Sequence, residues 1–270
     1  MKLLMCRPDF FGIEYEINPW MHLDNRVDPS RAQRQWQALH DLYVEMGQSI
    51  EVVKPVPGLP DMVFTANSAV IWQDKVVLSH FHHPERQGEE PYYKDFFTSR
   101  GMQVHELDRS LSQEGAGDFL FVGGRLFAGF GFRTERQTHE VVAAILGVDV
   151  ISLELVDAHY YHLDTCFTAL DDRTVLINPD AFTPASLAKI HANIERVVGA
   201  PADVAAGFAC NAFAVGDTVV SSPTIENMRA QLGELGFQVK GLDMSEFMKA
   251  GGGVRCLTLP LEVGVTARRS

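Results

Sequence analysis

The stretch SAVIWQDKVVLSHF, residues 68–81, contains two apolar runs that are separated by a short polar segment. This pattern predicts a β-hairpin, because two apolar strands joined by a tight polar turn can pack against a common core. The same pattern recurs three times, as DFLFVGGRLFAGFGF (118–132), TCFTALDDRTVLINPDAF (165–182) and CNAFAVGDTVVSSP (210–223). The hairpins follow one another at intervals of about 45 to 50 residues, which indicates a repeat architecture.

A fifth unit begins near the end of the printed sequence but has only one strand. The segment CLTLPLEV, residues 256–263, resembles the first strand of the other hairpins. We expect the N-terminal segment KLLMCRP, residues 2–8, to supply its partner strand. The two ends of the sequence would then complete one unit and close a ring.

Helical periodicity fills the spaces between the hairpins. The predicted helices span residues 29–46, 91–100, 134–146, 184–198 and 224–235. A short strand is predicted after each helix, at residues 49–56, 102–108, 148–155, 201–208 and 237–243. The repeating unit is therefore of the ββαβ type, and five units predict an α/β fold with pseudo-fivefold symmetry, a five-bladed propeller around a central polar channel.

The composition is that of a globular protein with a large core. Of 270 residues 46% are hydrophobic and 21% charged, and because the repeat runs through the whole sequence we predict a single domain, residues 1–270. The net charge of −12 argues against nucleic acid or an anionic membrane as a partner. The four cysteines are scattered, which predicts a reducing cytoplasm, no disulfide and no metal site.

Polar residues occupy equivalent places near the start of each unit. These residues are Asn67, Asp118, His162 with Asp164 and Thr165, Asn211 and Cys256. In a ring, equivalent positions converge on the central axis. Polar side chains just ahead of apolar strands therefore predict a polar pocket in the channel.

Cys256 is the predicted nucleophile of this pocket. The three glycines of residues 251–253 precede it, and glycine allows tight turns and close approach of a ligand. The alternative for any single cysteine is a small buried hydrophobic residue, and we prefer that reading for Cys166 and Cys210. His162 and Asp164 are two residues apart, so on an extended strand they face the same side.

Two carboxylates beside a thiol and an imidazole suit a planar cation. Asp118 follows the glycines of EGAGDFLF, which leave space around it. A guanidinium group presents a fork of N–H donors that matches carboxylate geometry. We therefore expect Asp118 and Asp164 to hold a guanidinium while a thiolate attacks its central carbon.

The residues quoted above, together with the opening MCRPDFFGIEYEINPWM, resemble the amidinotransferase-like guanidine-modifying superfamily. Its members include arginine deiminases, dimethylarginine dimethylaminohydrolases, amidinotransferases and arginine dihydrolases, and its fold is the five-bladed propeller called a pentein. The resemblance covers essentially the whole chain. It implies hydrolysis of guanidinium C–N bonds without a cofactor, with arginine or a methylated arginine as the small-molecule partner.

The resemblance also implies roles for individual residues. Cys256 would form a covalent amidino-thioester, and His162 would act as general acid and then as general base. Arg133, in GFGFRT, resembles the arginine that grips the substrate α-carboxylate, and Arg86 in HPER would assist it. Asn18 in INPW would line the pocket, its alternative being a turn asparagine before Pro19. A homo-oligomer is compatible with the sequence.

The segment FTANSAV, residues 64–70, bears on the choice of subfamily. Dimethylarginine hydrolases typically have Glu-Asp-Thr-Ala here, whereas this chain has Ala66 and Asn67. Together with LPDMVFTAN this resembles the catalytic domains of arginine dihydrolases, in which an asparagine at this place holds the ureido intermediate. An arginine dihydrolase is therefore the first expectation. Dimethylarginine hydrolysis, arginine deimination and, more remotely, a propeller that only binds a partner are the alternatives.

Overall fold

The computed structural model describes residues 1–264 and contains five sheets of three strands each. In four sheets an antiparallel hairpin is followed by a third strand parallel to the hairpin's second strand. The hairpins are β3 (Ala69–Trp72) with β4 (Lys75–Leu78), β6 (Phe119–Val122) with β7 (Arg125–Phe130), β9 (Phe167–Ala169) with β10 (Thr174–Ile177), and β12 (Phe213–Val215) with β13 (Thr218–Ser221). The third strands are β5 (Gln103–His105), β8 (Val150–Glu154), β11 (Arg196–Gly199) and β14 (Gln238–Gly241).

The fifth sheet joins the two ends of the described chain. Strand β15 (Leu259–Pro260) runs antiparallel to β1 (Lys2–Cys6), and β1 runs parallel to β2 (Ser49–Val53). This sheet has the same topology as the other four, with its first strand taken from the end of the chain. The predicted pairing of the terminal segments is therefore confirmed. Five equivalent sheets fit a pseudo-fivefold α/β arrangement.

Helices lie between the sheets, and the five predicted ones are present beside three short helices, over residues 84–87, 202–206 and 245–248, that were not predicted. They are α1 (Pro29–Glu45), α2 (Pro84–Gln87), α3 (Glu90–Thr98), α4 (Arg136–Leu146), α5 (Pro184–Asn193), α6 (Ala202–Ala206), α7 (Arg229–Glu234) and α8 (Ser245–Met248). A 3₁₀ turn over Pro223–Met228 begins the fifth predicted helix. Helix α1 illustrates the packing rule: Trp36, Leu39 and Tyr43 share one buried face and join the core beside Cys256.

Two predictions in the third unit, which begins with the hairpin of residues 165–182, are wrong. The helix predicted over 184–198 ends at Asn193, because the β-branched residues of Arg196–Gly199 pair in parallel with β10. The strand predicted over 201–208 is instead helix α6, whose residues ADVAA include three alanines. Alanine has the highest helix propensity, and Pro201 begins this helix as its N-cap residue.

The structure bears on several expectations from composition, for residues 1–264. Within this range no helix is long and apolar enough to cross a membrane, and no group of three or more His, Cys, Asp or Glu is placed to hold a metal. All four cysteines are unpaired and buried. The predicted domain of residues 1–270 includes residues 265–270, which lie outside the described range.

Candidate active site

A narrow cavity holds five of the eight predicted site residues. It is lined by Cys256, Asn67, Arg133, Arg86 and Asn18, together with the apolar residues Ile17, Met21 and Phe64. His162 and Asp164 stand behind this lining and contact Asn67 and Cys256, and Asp118 is bonded to the backbone of Leu163 between them. Short 3₁₀ turns over Thr65–Ser68, Gly115–Gly117 and Leu163–Thr165 precede β3, β6 and β9 and bring these side chains together.

The Cys256 thiol lies between an amide and a carboxylate. Nδ2 of Asn211 donates to Sγ at 3.1 Å, and the thiol reaches Oδ2 of Asp164 at 3.4 Å. Asn211 Oδ1 accepts from the backbone N–H of Arg255 at 3.1 Å, which fixes the loop that carries the cysteine. Burial, followed by the nearby Asp164 charge, raises the pKa of Cys256 well above its ordinary value. Without a bound cation the sulfur is therefore a thiol.

Asp118 and Asp164 are fully buried carboxyl groups that are short of partners. Burial raises the pKa of Asp118 to about 6 and that of Asp164 to about 7. Oδ1 of Asp118 accepts from the backbone N–H of Leu163 at 2.9 Å, whereas its Oδ2 has no hydrogen-bond partner among residues 1–264. A cation that donates hydrogen bonds would stabilise the ionised form of both carboxyl groups.

His162 is held by a buried carboxylate that the sequence analysis did not single out. Its Nε2 lies 2.7 Å from Oε2 of Glu114, and Nη1 of Arg133 lies 3.2 Å from the same oxygen. Burial alone would raise the pKa of Glu114, but Arg133 and His162 together hold it well below its usual range. Glu114 is therefore an anion that accepts a hydrogen bond from Nε2 of His162 and orients its ring.

The side-chain amide of Asn67 has a fixed orientation. Nη1 of Arg86 donates to its Oδ1 at 2.9 Å, so its Nδ2 must point to the other side, where Nδ1 of His162 lies at 3.5 Å. An N–H donor facing Nδ1 places the histidine proton on Nε2, toward Glu114. Gly117 makes this approach possible, because a Cβ at that position would overlap Asn67 Nδ2 and lie 3.3 Å from the His162 ring.

The two predicted arginines are buried residues of the site rather than solvated surface charges. Arg133 is 4% exposed, donates to the backbone oxygen of Ile17 at 2.8 Å, and its guanidinium lies 4.6 Å from the Tyr161 ring centre. Arg86 is 3% exposed and forms two hydrogen bonds, of 2.8 and 3.0 Å, with the Glu89 carboxylate. Both therefore place positive charge at the cavity.

Asn18 lines the cavity, but its amide is occupied by the local turn. Its Oδ1 accepts from the backbone N–H of Trp20 at 2.9 Å, and its Nδ2 donates to the carbonyl of Ala250 at 3.1 Å. These bonds tie the N-terminal loop to the segment before the cysteine. These contacts agree with the alternative interpretation of Asn18 as a turn residue.

The glycines before Cys256 form a tight turn and lie close to other residues of the site. Gly251 follows α8 with φ +80°, a conformation that side chains disfavour, and a Cβ there would lie 2.7 Å from the Tyr161 hydroxyl. A Cβ on Gly253 would lie 3.0 Å from Oδ1 of Asn211, the atom that anchors the cysteine loop. The glycines thus end the helix and let the loop pack tightly against the site.

Sequence reasoning missed Glu114 and underused Asn211. Glu114 opens the quoted EGAGDFLF stretch, and its position beside two glycines was the available signal. Asn211 was recognised as a repeat-equivalent polar residue but was not assigned to the site. Asp61, which binds the Tyr15 hydroxyl at 3.0 Å and lines the cavity, had no such signal.

Comparison with known proteins identifies the family. The family model described as N,N dimethylarginine dimethylhydrolase, eukaryotic, matches residues 12–263. The bifunctional arginine dihydrolase/ornithine cyclodeaminase ArgZ of Synechocystis is 43% identical over 265 residues, covering 96% of this chain and 37% of ArgZ. The N(G),N(G)-dimethylarginine dimethylaminohydrolase of Mycobacterium tuberculosis is 41% identical over 260 residues, covering 96% of this chain and 85% of the relative.

A solved structure of the N-terminal domain of ArgZ shows that the fold is shared as well. The N-terminal domain of ArgZ, crystallised as a cysteine-to-serine mutant with its substrate, superposes with a TM-score of 0.94 at 42% identity, covering 97% of this chain and 98% of that chain. The chain thus spans little more than a third of full-length ArgZ but nearly all of its N-terminal domain. The chain belongs to the dimethylarginine dimethylaminohydrolase family, within the guanidine-modifying superfamily that its motifs resemble.

Proposed function

We propose that this chain hydrolyses the guanidinium group of L-arginine to ornithine, two ammonia and carbon dioxide. The observation that carries the proposal is the cavity-lining amide of Asn67, held by Arg86 and facing His162. The likeness to ArgZ, an arginine dihydrolase by name, supports the same substrate. No cofactor takes part in the proposed reaction.

The proposal extends to the architecture around the site. The five sheets form a five-bladed propeller whose first strands surround a central channel that is polar at the strand starts. Support comes from the shared topology of the sheets and from the pairing of β15 with β1. The polar side chains at the strand starts then stand at one end of the channel, where a guanidinium would enter.

The first half of the proposed reaction uses the two buried carboxyls and the thiol. A guanidinium between Asp118 and Asp164 supplies the cation that both groups lack, which stabilises the carboxylates and the Cys256 thiolate together. The thiolate attacks the guanidinium carbon, and His162 protonates the departing ammonia. Water, deprotonated by His162, then displaces the sulfur and leaves a ureido group on the substrate.

The second half of the proposed reaction requires that the ureido product stays bound. A neutral ureido group is no longer attracted by two carboxylates, but an amide can exchange hydrogen bonds with it. Asn67 provides that amide, so Cys256 can attack the ureido carbon and a second ammonia leaves. Water then releases the carbamate, which decomposes to carbon dioxide and ornithine. The two hydrolyses together consume two water molecules.

Dimethylarginine hydrolysis to citrulline and dimethylamine is the second candidate. The family model and the mycobacterial relative favour it. The sequence disfavours it, because the acidic pair typical of such enzymes is replaced by Ala66 and Asn67. Simple deimination of arginine would stop after the first hydrolysis. It would then give Asn67 no ureido group to retain.

The test is an incubation of the purified protein with L-arginine in which ornithine, citrulline and ammonia are measured together. We expect ornithine with about two ammonia per arginine, and no product from Cys256→Ser. Citrulline with one ammonia per arginine would contradict the proposal. Turnover of dimethylarginine alone, with release of dimethylamine, would support the second candidate.

Variants of Asn67 connect the stoichiometry to the amide. Asn67→Ala is expected to release citrulline and about one ammonia per arginine, because the ureido group loses the residue that retains it. Asn25→Ala removes an exposed asparagine and serves as the matched control, with ornithine unchanged. If Asn67→Ala produced as much ornithine as the wild type, the proposed role of Asn67 in the second hydrolysis would be contradicted.

A further inference from the structure

A second cavity of about 340 Å³ lies at the opposite end of the first strands from Cys256. The strand starts carry Asn67 and Asp118, whereas this cavity is bordered by the hairpin turns, including Trp72, Gly123 and Gly124. Residues of β3, β6, β9, β12 and β15 all contribute to its wall, and it shares no lining residue with the active-site cavity. Its volume falls in the range of small-molecule sites.

Arg255 places a buried positive charge in the wall of this cavity. The residue is 7% exposed, and its Nη1 donates to the carbonyl of Thr258 at 2.6 Å. Its Nε and Nη2 form no hydrogen bond or ion pair in the described chain, and the charge with the largest effect on its pKa is that of Asp164, on the active-site side. Its guanidinium carbon is 5.6 Å from the Phe213 ring centre. A buried guanidinium with unused donors favours an anionic partner.

The remainder of the wall defines the other features of a ligand. The indole of Trp72 stacks on Phe121 with ring centres 4.2 Å apart, and Leu120 and Leu259 add further apolar surface. The carboxylates in the wall, Asp172 and Glu262, belong to exposed residues, and Glu262 accepts from the backbone N–H of Lys2 at 3.1 Å. A ligand with a second negative charge at the rim would be repelled there.

We propose that this cavity binds a small organic monocarboxylate with an apolar body, its carboxylate paired with Arg255. The apolar body would lie against Trp72, Phe121 and Phe213, and the single charge would lie inside, away from the rim carboxylates. The ligand class follows from the charge pattern of the wall: one buried cation, apolar sides and anions only at the edge.

The bound carboxylate would also act on the active site, a consequence that rests on the proposed arginine hydrolysis. Arg255 precedes Cys256 in the chain, and its positive charge opposes the effect of burial on the pKa of Asp164. A carboxylate on Arg255 would cancel this charge, so Asp164 would hold its proton more firmly. Because only the ionised carboxylate attracts guanidinium, the KM for arginine should rise.

The test uses 3-phenylpropionate as the anionic probe and 3-phenylpropanamide as its neutral match, in calorimetric titrations of the whole protein. We expect a dissociation constant of about 1 mM for the acid and at least tenfold weaker binding of the amide. Arg255→Met should weaken binding of the acid at least tenfold. Ala214→Phe, which fills the cavity from a partly exposed strand position and leaves Arg255 in place, should do the same.

One variant separates the two cavities. Arg133→Met removes a cation of the active-site cavity and should leave binding of 3-phenylpropionate unchanged. The proposal is overturned if the wild type does not bind the acid, if the amide binds equally well, or if Arg133→Met loses binding while Arg255→Met retains it. A twofold or larger rise in KM with kcat retained would support the coupling. An unchanged KM with calorimetric binding intact would remove the coupling and not the site.

Discussion

Asp164 is a buried acid whose removal should make the folded chain more stable at high pH. The group is fully buried, and the hydrogen-bond partner of its carboxyl oxygens in the described chain is the Cys256 thiol. We predict that Asp164→Asn gains stability as the pH rises and loses turnover, because the amide has the shape of the carboxyl without its charge.

The magnitude follows from the pKa of this one group. Burial raises the pKa of Asp164 from its ordinary value of 3.8 to about 7. A shift of about three units corresponds to roughly 4 kcal/mol. The folded chain binds this proton more tightly than the unfolded chain, so the stabilisation is complete below the unfolded pKa and is lost as the pH rises through about 7. Asparagine does not undergo this loss.

The assay is urea denaturation of both proteins at pH 5 and pH 8. Relative to the wild type, the free energy of unfolding of Asp164→Asn should increase by about 2.5 kcal/mol between these two pH values. Asp24→Asn, which removes an exposed carboxylate, is the control and should show no such change. The reasoning would be refuted if the difference in the free energy of unfolding between Asp164→Asn and the wild type were the same at both pH values. It would also be refuted if the variant were less stable than the wild type at pH 8.

Three further substitutions test the contacts of the site. Glu114→Gln removes the carboxylate beside His162, so kcat for arginine should fall about 100-fold or more. Glu85→Gln, which changes an exposed carboxylate, is the control and should leave kcat unchanged. Gly117→Ala should reduce kcat by a similar factor and lower the melting temperature, since its Cβ overlaps the amide of Asn67; a fully active variant would contradict the packing. Asn211→Ala removes the N–H donor to the sulfur of Cys256 and should slow alkylation of that thiol by iodoacetamide about tenfold, measured against Cys256→Ser as background.

The fold was predictable because each unit repeats the same local signals. Apolar runs with tight turns specified four hairpins, and the unpaired run at 256–263 required a partner that only the N-terminal strand supplied. The failures lie where local signals conflict. Residues 194–198 continue a helical pattern, but their β-branched side chains pair with β10, and the alanines of α6 follow their helix propensity instead of the repeat.

The site was predictable where a residue has its own chemical signature. Cys256, His162 and the two aspartates stand at repeat-equivalent positions, and the structure brings them together. Glu114 was not predictable in the same way, because one carboxylate among 35 acidic residues gains meaning only from the imidazole it contacts. The orientation of the Asn67 amide likewise depends on Arg86, which is distant in sequence and meets it only after folding.

The pairing of β15 with β1 has a consequence for the synthesis of the protein. Strand β1 is synthesised shortly before its parallel partner β2 but long before β15, so its other edge stays open until residues 259–260 emerge. An open strand edge is a template for pairing with other chains, so the nascent protein carries an aggregation-prone edge until β15 has been made. Cys256 lies shortly before β15 in the chain, so the cysteine of the site and the strand that completes the fifth sheet emerge together.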